Sequence, residues 1–453
     1  TRRAFSSRWR STQATTARRT NAWWVSIVCG MASYIDAATI VALGTALVIY
    51  QYTIGVTPEQ IGILSGCLTL GIALGALLGG RLGDLLGRRR VFLATMLMVI
   101  LGSALLVFAD SFPLLLIGSA LAGLGTGADL PVSLSTIAEA ATEKNRGAII
   151  GLSNILWMVG ILGTIVIATV AGGWGRIGGQ LLFAHIGVIA VLIFFARLSI
   201  PESTSWKVAR DERRQGIATI RADRSSLRDL LRRPYLGPLA ALLVFYSLAN
   251  VAANTQGQFG AFLAVNIAGI PVQLNAALGL MTFPISLLFG VWFMRIIDGA
   301  HRMKYFVAGA VALFLGFLVP SVAGFSLVTI VVMNVLLGVG GAFAGEGIMK
   351  VWTQESFPTL LRTTAQGTII ATARIVAALV AFITPSLIVR SPQVFYGVLA
   401  ALVGVGLLVG WLAFRGKRST EFDSEGQLDP EGAAHPTSPS SPESPRMAPG
   451  VSH

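Results

Sequence analysis

The amino-acid sequence predicts an all-α membrane protein of twelve helices, arranged as two pseudo-symmetric six-helix bundles. Of the 453 residues, 54% are hydrophobic and 12% are charged, and the mean hydropathy is +0.72. A soluble domain carries about 25% charged residues, so polar surface is too scarce here to cover a globule of this size in water. Two further observations, a series of apolar runs and an internal repeat, predict the number and grouping of the helices.

Twelve apolar runs are long enough to cross a bilayer, and lipid requires each to be a helix because it offers no partner to open backbone groups. They lie at 23–50, 60–80, 91–109, 113–137, 148–172, 179–199, 236–264, 273–294, 304–322, 326–352, 366–389 and 393–414. Both cysteines, Cys29 and Cys67, fall inside such runs. They therefore indicate packing residues and neither a disulfide nor a metal site.

The basic residues predict that both termini are cytoplasmic. Of the 34 Lys and Arg, only Arg176 and Arg390 would then face outside, and Lys350 and Arg374 lie within apolar runs. The other 30 lie inside or at inner helix ends, which is the positive-inside distribution. The net charge of +13 is thus explained by topology, and no nucleic-acid partner is expected.

The runs divide the chain into five segments. A basic cytoplasmic segment (1–22) precedes the N-terminal bundle (23–200), and a charged cytoplasmic linker (201–235) joins it to the C-terminal bundle (236–415). The linker is expected to form a helix at the membrane surface. The cytoplasmic tail (416–453) is rich in Pro, Ser, Glu and Gly, a composition typical of disorder.

A charged pattern in the first bundle returns in the second. At an offset of 214 positions, the members are Arg81, Asp84, Arg88 and Arg90, then Arg295, Asp298, Arg302 and Lys304. At an offset of 216, the pair Glu139 and Arg146 returns as Glu355 and Arg362. Two similar halves meeting at a central site are the architecture expected of an alternating-access transporter.

Over nearly the whole chain these motifs resemble the major facilitator superfamily. Residues 80–90 resemble its loop motif between helices 2 and 3, and residues 125–133 with Glu139 and Arg146 are similar to bacterial metabolite–proton symporters. The segments 201–203 and 355–359 resemble its sugar-porter and organic-ion branches. The resemblance implies the superfamily fold, secondary transport and a multi-pass location in the cell membrane, but it names no substrate.

The sequence departs from the sugar-porter pattern at three places. Ser119 and Lys350 stand where sugar porters carry an arginine and a tryptophan, and Gln256-Gly257-Gln258 stands where they carry a double glutamine. By contrast, Arg374 is similar in position to an arginine of organic-anion members. That similarity implies a carboxylate substrate.

The resemblance also implies a cytoplasmic gate, a charge network that closes the inner side and separates when the protein opens inward. Its predicted members are Asp84, Arg88, Arg90, Glu139, Arg146, Asp298, Arg302, Glu355 and Arg362. The alternative is that the arginines only hold their loops inside.

Asp36 and Asp129 are the candidate proton-coupling residues. Asp36 is thirteen residues from Trp23, about 20 Å along a helix axis, and Asp129 lies in the fourth run. Ionisable groups within the membrane are functional candidates by default, because an unpaired carboxylate there costs several kcal/mol. With Ser119 in place of an arginine, no basic partner for Asp36 is evident on the fourth helix. The alternative is a buried aspartate satisfied by hydroxyls and backbone.

Glu346, Lys350 and Arg374 are candidate substrate-binding residues. Glu346 and Arg374 are each fourteen residues from the turn near residue 360, so they should lie at similar depth on neighbouring helices. Glu346 and Lys350 are four apart and can pair on one helix face. Arg374, with or without Lys350, could hold a substrate carboxylate, because guanidinium binds carboxylate in a bidentate fork. The alternative is a structural Glu346–Arg374 ion pair.

Polar and aromatic side chains complete the predicted substrate site. Asn250, Asn254 and Gln258 are spaced by four on the seventh helix, with Gln256 beside them. Their amides would line the cavity and bind hydroxyl groups, or else bond neighbouring helices. Tyr34 and Trp157 are candidate aromatic walls, with plain packing as the alternative.

The leading hypothesis from the sequence is proton-coupled import of a small polar metabolite, such as a sugar, cyclitol or sugar acid. The alternatives are proton-coupled transport of an aromatic or nicotinate-like carboxylate, efflux of a drug or metabolite, and, from another class, a membrane receptor. An enzyme is not expected, because no nucleophile–base pair, metal cluster or ATP-binding loop is evident. No cofactor other than the coupling proton and no partner other than substrate and lipid is expected, and the protein is expected to act as a monomer.

Overall fold

A computed structural model describes residues 21–140, 146–202, 207, 230–296, 301–357 and 359–416. Within these ranges the structure contains fourteen helices and no strand. Nearly all of the predicted N-terminal segment, most of the linker and nearly all of the tail lie outside the described residues.

The first half contains six helices that correspond one to one with the first six predicted runs. They are α1 (Ala22–Thr53), α2 (Pro58–Leu86), α3 (Arg88–Phe108), α4 (Phe112–Ala140), α5 (Arg146–Ala171) and α6 (Arg176–Leu198). Most extend a few residues beyond the predicted bounds. Thr57 explains the start of α2, because its side chain and that of Gln60 form a reciprocal capping box.

The second half contains the other eight helices. They are α7 (Leu236–Asn266), α8 (Val272–Ile296), α9 (Arg302–Ala323), α10 (Leu327–Ala344), α11 (Glu346–Ser356), α12 (Thr359–Ala381), α13 (Thr384–Arg390) and α14 (Pro392–Phe414). Two predicted runs are thus each divided in two, and the sequence expectation of one continuous helix per run is wrong at these places.

The two breaks have local causes. At Gly345 the backbone leaves the helical region (φ −94°, ψ −145°), and a Cβ there would overlap the carbonyl oxygen of Gly341. After Ala381 the chain turns, and Pro385 occupies the first turn of α13, where its missing N–H costs nothing. Hydropathy does not show either break, because the apolar composition continues through both.

Eleven segments of the described chain are long and apolar enough to cross a membrane, with α10 and α11 forming one of them. The remaining predicted span corresponds to α5, which has 26 residues. Its stretch Ile155–Ala171 is also apolar. The chain is therefore a multi-pass membrane protein.

Glycines bring α2 and α4 into backbone contact. The Cα of Gly75 and that of Gly79 lie against the backbone of Leu124 and Ala128, and Gly127 lies against Ile72. Any side chain at these positions would push the two helices apart, which makes the first half a closely packed unit.

The two halves meet near the C-terminal ends of α1, α7 and α12 and the N-terminal end of α2. Gly44 of α1 touches the backbone of Gln258 on α7, and Gly62 of α2 touches that of Phe382, just after α12. The Gln258 amide nitrogen also donates to Thr69 of α2 at 2.6 Å. These contacts close that end and leave the charged residues of α1, α11 and α12 in the middle of the bundle.

Candidate functional site

The central feature of the site is an ion pair between the two halves. The Arg374 guanidinium on α12 donates to an Asp36 carboxylate oxygen on α1 at 3.3 Å. Asp36 is 1% exposed, and the Arg374 side chain is 18% exposed. The sequence showed no basic partner for Asp36 on the fourth helix, and in the structure a helix of the other half provides one.

A second ion pair lies on α11. The Lys350 ammonium is 2.8 Å from one Glu346 carboxylate oxygen, and the Tyr246 hydroxyl donates to the other at 3.0 Å. The Glu346 side chain is 47% exposed although α11 belongs to a membrane-spanning segment. Because exposing charge to lipid is costly, we expect this exposed face to border water and not lipid.

These residues form one cluster of two carboxylates and two cations, Asp36, Glu346, Lys350 and Arg374. Arg374 lies within electrostatic range of Glu346 and Tyr246 as well as Asp36. The alternative expectation of a direct Glu346–Arg374 ion pair is wrong, because the Arg374 hydrogen bond goes to Asp36 and the Glu346 oxygens receive Lys350 and Tyr246. The cluster is electrically balanced without a ligand.

Three carbonyl or carboxylate oxygens of this region have no hydrogen-bond partner within the part of the chain that the structure describes. They are buried, and they belong to Asp36 (Oδ1), Asn250 (Oδ1) and Gln258 (Oε1). A buried acceptor left unpaired costs free energy. They are therefore suited to accept hydrogen bonds from hydroxyl groups of a bound molecule.

The amides of α7 face two directions. Gln258 is buried and donates to Thr69 and, at 3.4 Å, to Asn254. Gln256 instead accepts a hydrogen bond from the Tyr396 hydroxyl of α14 at 3.0 Å. Gln258 thus contacts the first half, whereas Gln256 bonds within the second half, as the interhelical alternative predicted.

The two candidate aromatic walls differ in surroundings. Tyr34 is 8% exposed and lies between α1 and α5, where its backbone touches Gly160 and its hydroxyl approaches Gly163. Trp157, also on α5, is 40% exposed. Tyr34 therefore packs two helices of one half together in this conformation.

Asp129 lies in a separate buried site within the first half. The Arg197 guanidinium of α6 holds both of its oxygens, one at 2.8 Å, and Thr95 donates to one of them at 3.1 Å. Ser133 lies within hydrogen-bond distance of Asp129 and Arg197, and the Phe92 ring lies 4.5 Å from the guanidinium carbon. Arg197 is 1% exposed, so this is a dry site in which both Asp129 oxygens are paired, whereas the Arg197 Nε has no partner among the described residues.

Only part of the predicted gate can be located. In the second half, Arg302 of α9 holds Glu355 of α11 through two hydrogen bonds of 2.5 and 3.0 Å. In the first half, Glu202 accepts from the backbone N–H of Arg88 at 2.8 Å, at the start of α3, and Arg90 is exposed at that helix end. Asp298 and the side chains of Asp84, Glu139, Arg146 and Arg362 lie outside the described residues.

The sequence interpretation missed two residues of these sites. Arg197 lies at an inner helix end, where a topological arginine is also expected. Tyr246 completes a series with Asn250, Asn254 and Gln258, all spaced by four on α7. That spacing is the signal by which Tyr246 could have been found.

Two helical bundles that cross the membrane and meet around a cluster of paired charges have the architecture of a membrane transporter. The sequence profile of the Major Facilitator Superfamily matches residues 23–385. The chain therefore belongs to the Major Facilitator Superfamily, as the sequence predicted. It is a membrane transporter of small metabolites and not an enzyme.

Relatives and solved structures agree with this assignment. The minor myo-inositol transporter IolF of Bacillus subtilis (strain 168) is 31% identical over 84% of this chain and 89% of its own length. The putative niacin/nicotinamide transporter NiaP of the same organism is 25% identical over 77% and 84%. The inward-open structure of the xylose transporter XylE from E. coli superposes with a TM-score of 0.72 over 90% of this chain and 99% of that chain. Its sequence identity of 15% makes it evidence for the fold alone.

Proposed function

We propose that this protein is a secondary active transporter that couples a proton to the import of a small polyhydroxylated metabolite, a sugar, cyclitol or sugar acid, by alternating access. The observation that carries the proposal is the Asp36–Arg374 ion pair, which joins the two halves beside a balanced charge cluster. The 31% identity to a transporter named for myo-inositol supports a polyol as the substrate class.

The coupling step follows from the burial of Asp36. Alternating access moves the halves relative to each other, so the Asp36–Arg374 contact must lengthen or break during the cycle. A carboxylate that is 1% exposed would then be left as an unpaired buried charge, at a cost of about 3–5 kcal/mol. Protonation removes that charge. In this proposal Asp36 binds the coupling proton when its contact with Arg374 breaks. It releases the proton when the ion pair reforms.

We place the coupling at Asp36 and not at Asp129, the other residue predicted for it. Both oxygens of Asp129 are held by Arg197, and all of their described partners belong to the first half. Movement between the halves therefore does not separate that pair. The proposed role of Asp129 is to fix α3, α4 and α6 to one another.

The charge balance of the cluster favours the uncharged members of the proposed class, a sugar or a cyclitol, over a sugar acid. Two carboxylates and two cations already neutralise each other, so a neutral polyol can bind without an added counter-charge. Its hydroxyl groups would donate to the unpartnered oxygens of Asn250 and Gln258 and accept from Lys350. Trp157 is proposed as an aromatic surface beside them.

Arg374 favours a second candidate, an organic carboxylate. A substrate carboxylate could take the place of Asp36 on the guanidinium, whose two N–H edges suit a bidentate fork. The displaced Asp36 would then require a proton, which gives co-transport of one anion with one proton. The 25% identity to a transporter named for niacin or nicotinamide agrees with this alternative.

The Arg302–Glu355 pair is proposed as part of the cytoplasmic gate, together with the other charged residues predicted for it. Its side chains are 19% and 24% exposed, so the pair is accessible enough to open and reform. Arg88 is the residue of the first half that corresponds to Arg302, and Arg90, also predicted for the gate, lies two residues later.

The test is a ligand screen followed by transport. Purified protein is heated with sugars, cyclitols, sugar acids and aromatic acids, and a ligand present at about a hundred times its Kd should add about 2.7 kcal/mol of stability. The stabilising compound is then offered to proteoliposomes with and without an inward proton gradient. We expect a polyol to stabilise and to accumulate only with the gradient. Accumulation that ignores the gradient, or stabilisation by aromatic acids alone, would contradict the proposal.

A further inference from the structure

An apolar groove lies on the outer surface of the second half, between α9 and α14. Its volume is about 330 Å³, and its lining includes Val307, Ala310 and Val311 of α9 and Gly404, Leu408 and Trp411 of α14. Val311 and Leu408 are 52% and 55% exposed. In a membrane protein such a surface faces lipid, so the groove is open to the bilayer.

The groove follows the helix axes. On α9 its lining runs from Phe306 to Phe314, a length of about 12 Å at 1.5 Å per residue. Gly404 keeps the opposite wall flat, since a Cβ there would lie 3.3 Å from the Phe314 ring. The groove therefore runs along the two helices, and every residue named in its lining is apolar or glycine.

Two basic residues lie at one end of the groove. Lys304 is exposed two residues before Phe306, near the start of α9, and Arg415 is exposed directly after α14. The Arg415 guanidinium carbon lies 4.6 Å from the centre of the Trp411 ring. Stacking on an aromatic face leaves the N–H edge of a guanidinium available for an oxyanion. Two cationic side chains therefore lie at the end of an apolar groove, where the helices reach the membrane–water boundary.

We propose that this groove, with Lys304 and Arg415, binds an anionic phospholipid. One acyl chain lies between α9 and α14, and the phosphate is held by the two basic side chains. The positive-inside pattern places this end of the helices in the cytoplasmic leaflet, where anionic lipids attract basic clusters and basic pockets between helices bind headgroups. The inference is independent of the transported substrate, because the groove lies on the outer face of the bundle.

The headgroup contact is tested by native mass spectrometry of the full-length protein with phosphatidylglycerol and with phosphatidylcholine of the same chains. We expect phosphatidylglycerol to be retained about tenfold more tightly, because it has a net negative charge, whereas the choline cation of phosphatidylcholine offsets its phosphate. The double variant Lys304→Gln/Arg415→Gln should lose this preference. The matched control is Arg81→Gln/Arg295→Gln, which removes two exposed arginines from other helices and should keep it.

The acyl-chain contact is tested with Ala310→Phe, which fills the groove, against Val188→Phe, which adds the same ring at an exposed position of α6. Ala310→Phe should weaken retention of both lipids, whereas Val188→Phe should not. Equal retention of the two lipids by the unmodified protein would overturn the proposal. So would an equal loss of preference in the Arg81/Arg295 control, or equal binding of free glycerol phosphate.

Discussion

Arg374 and Asp36 are 338 positions apart in the chain and form a hydrogen-bonded ion pair across the boundary between the two halves. Both side chains are largely enclosed, and neither half contains the pair by itself. The length of this contact depends on the relative position of the two halves. The pairing of the Asp36 carboxylate therefore changes with the conformation of the protein.

A double-mutant cycle measures this contact. Arg374→Gln leaves the Asp36 carboxylate buried without its cation, and we expect thermal unfolding in detergent to show clear destabilisation. Asp36→Asn/Arg374→Gln should recover most of the loss, with a coupling free energy of about 0.5–3 kcal/mol. Strict additivity of the two single changes would show that the ion pair does not contribute.

Asp36→Asn separates transport from coupling. An amide cannot bind and release the proton, but it keeps the size and polarity of the side chain. We expect substrate exchange between the two sides of a proteoliposome to persist, whereas accumulation driven by a proton gradient is lost. Counterflow and gradient-driven uptake are measured on the same preparation. Unchanged accumulation in Asp36→Asn would exclude Asp36 as the coupling residue.

The Asp129–Arg197 pair should behave as a structural element. Arg197→Met leaves Asp129 charged in a dry site, and breaking such a pair costs about 3–5 kcal/mol. Asp129→Leu/Arg197→Met replaces both partners with apolar groups and should be close to neutral, because desolvation offsets most of the ionic attraction. Thermal unfolding of these variants is compared with that of Arg176→Met, an exposed arginine of the same half. A double variant that loses gradient-driven uptake but remains stable would instead support a coupling role for Asp129.

Gly44→Ala tests the closure between the halves. Its Cβ would meet the carbonyl oxygen of Gln258. The two helices could then no longer approach closely enough to close that end of the bundle. We expect a several-fold lower transport rate and a larger distance between the ends of α2 and α12, measured with spectroscopic labels. Gly257→Ala is the matched control, since a Cβ there has no neighbour within 4 Å and the helix propensity gain is the same. If the two variants behave alike, the Gly44 contact does not limit closure.

The Arg302–Glu355 pair should govern the rate of transport more than the stability of the fold. Partly exposed pairs contribute little to folding, about 1 kcal/mol or less, so Glu355→Gln should unfold near the temperature of the unmodified protein. Initial uptake should fall, and the charge reversal Arg302→Glu/Glu355→Arg should restore part of it. Arg295→Gln serves as the control for removing a charge at this end. Normal uptake by both single variants would argue against a gate at this pair.

The fold was largely readable from the sequence because each crossing requires an apolar run of helical length. The breaks at Gly345 and after Ala381 were not, because a chain can turn inside an apolar run without changing its composition. The Glu346–Lys350 contact was predicted, since i,i+4 spacing determines proximity on a helix. The Asp36–Arg374 contact was not, because no local spacing relates two helices of different halves.

The position of Arg197 shows the limit of charge counting. A basic residue at an inner helix end satisfies the positive-inside rule whether its guanidinium faces water or a buried aspartate. Only the packing of α3, α4 and α6 decides between the two. The role of Tyr246 was accessible from the four-residue periodicity of α7, but its bond to Glu346 depends on the approach of α11.

The helix α11 connects two of the ion pairs mechanically. Glu346 begins it, and Glu355 lies nine residues later, about 13.5 Å along the same axis. Gly345 at one end and the extended backbone of Phe357 at the other allow this short helix to pivot as a rigid rod. Because one helix carries both carboxylates, we expect a displacement of Glu346 on ligand binding to reach the Arg302–Glu355 contact as well.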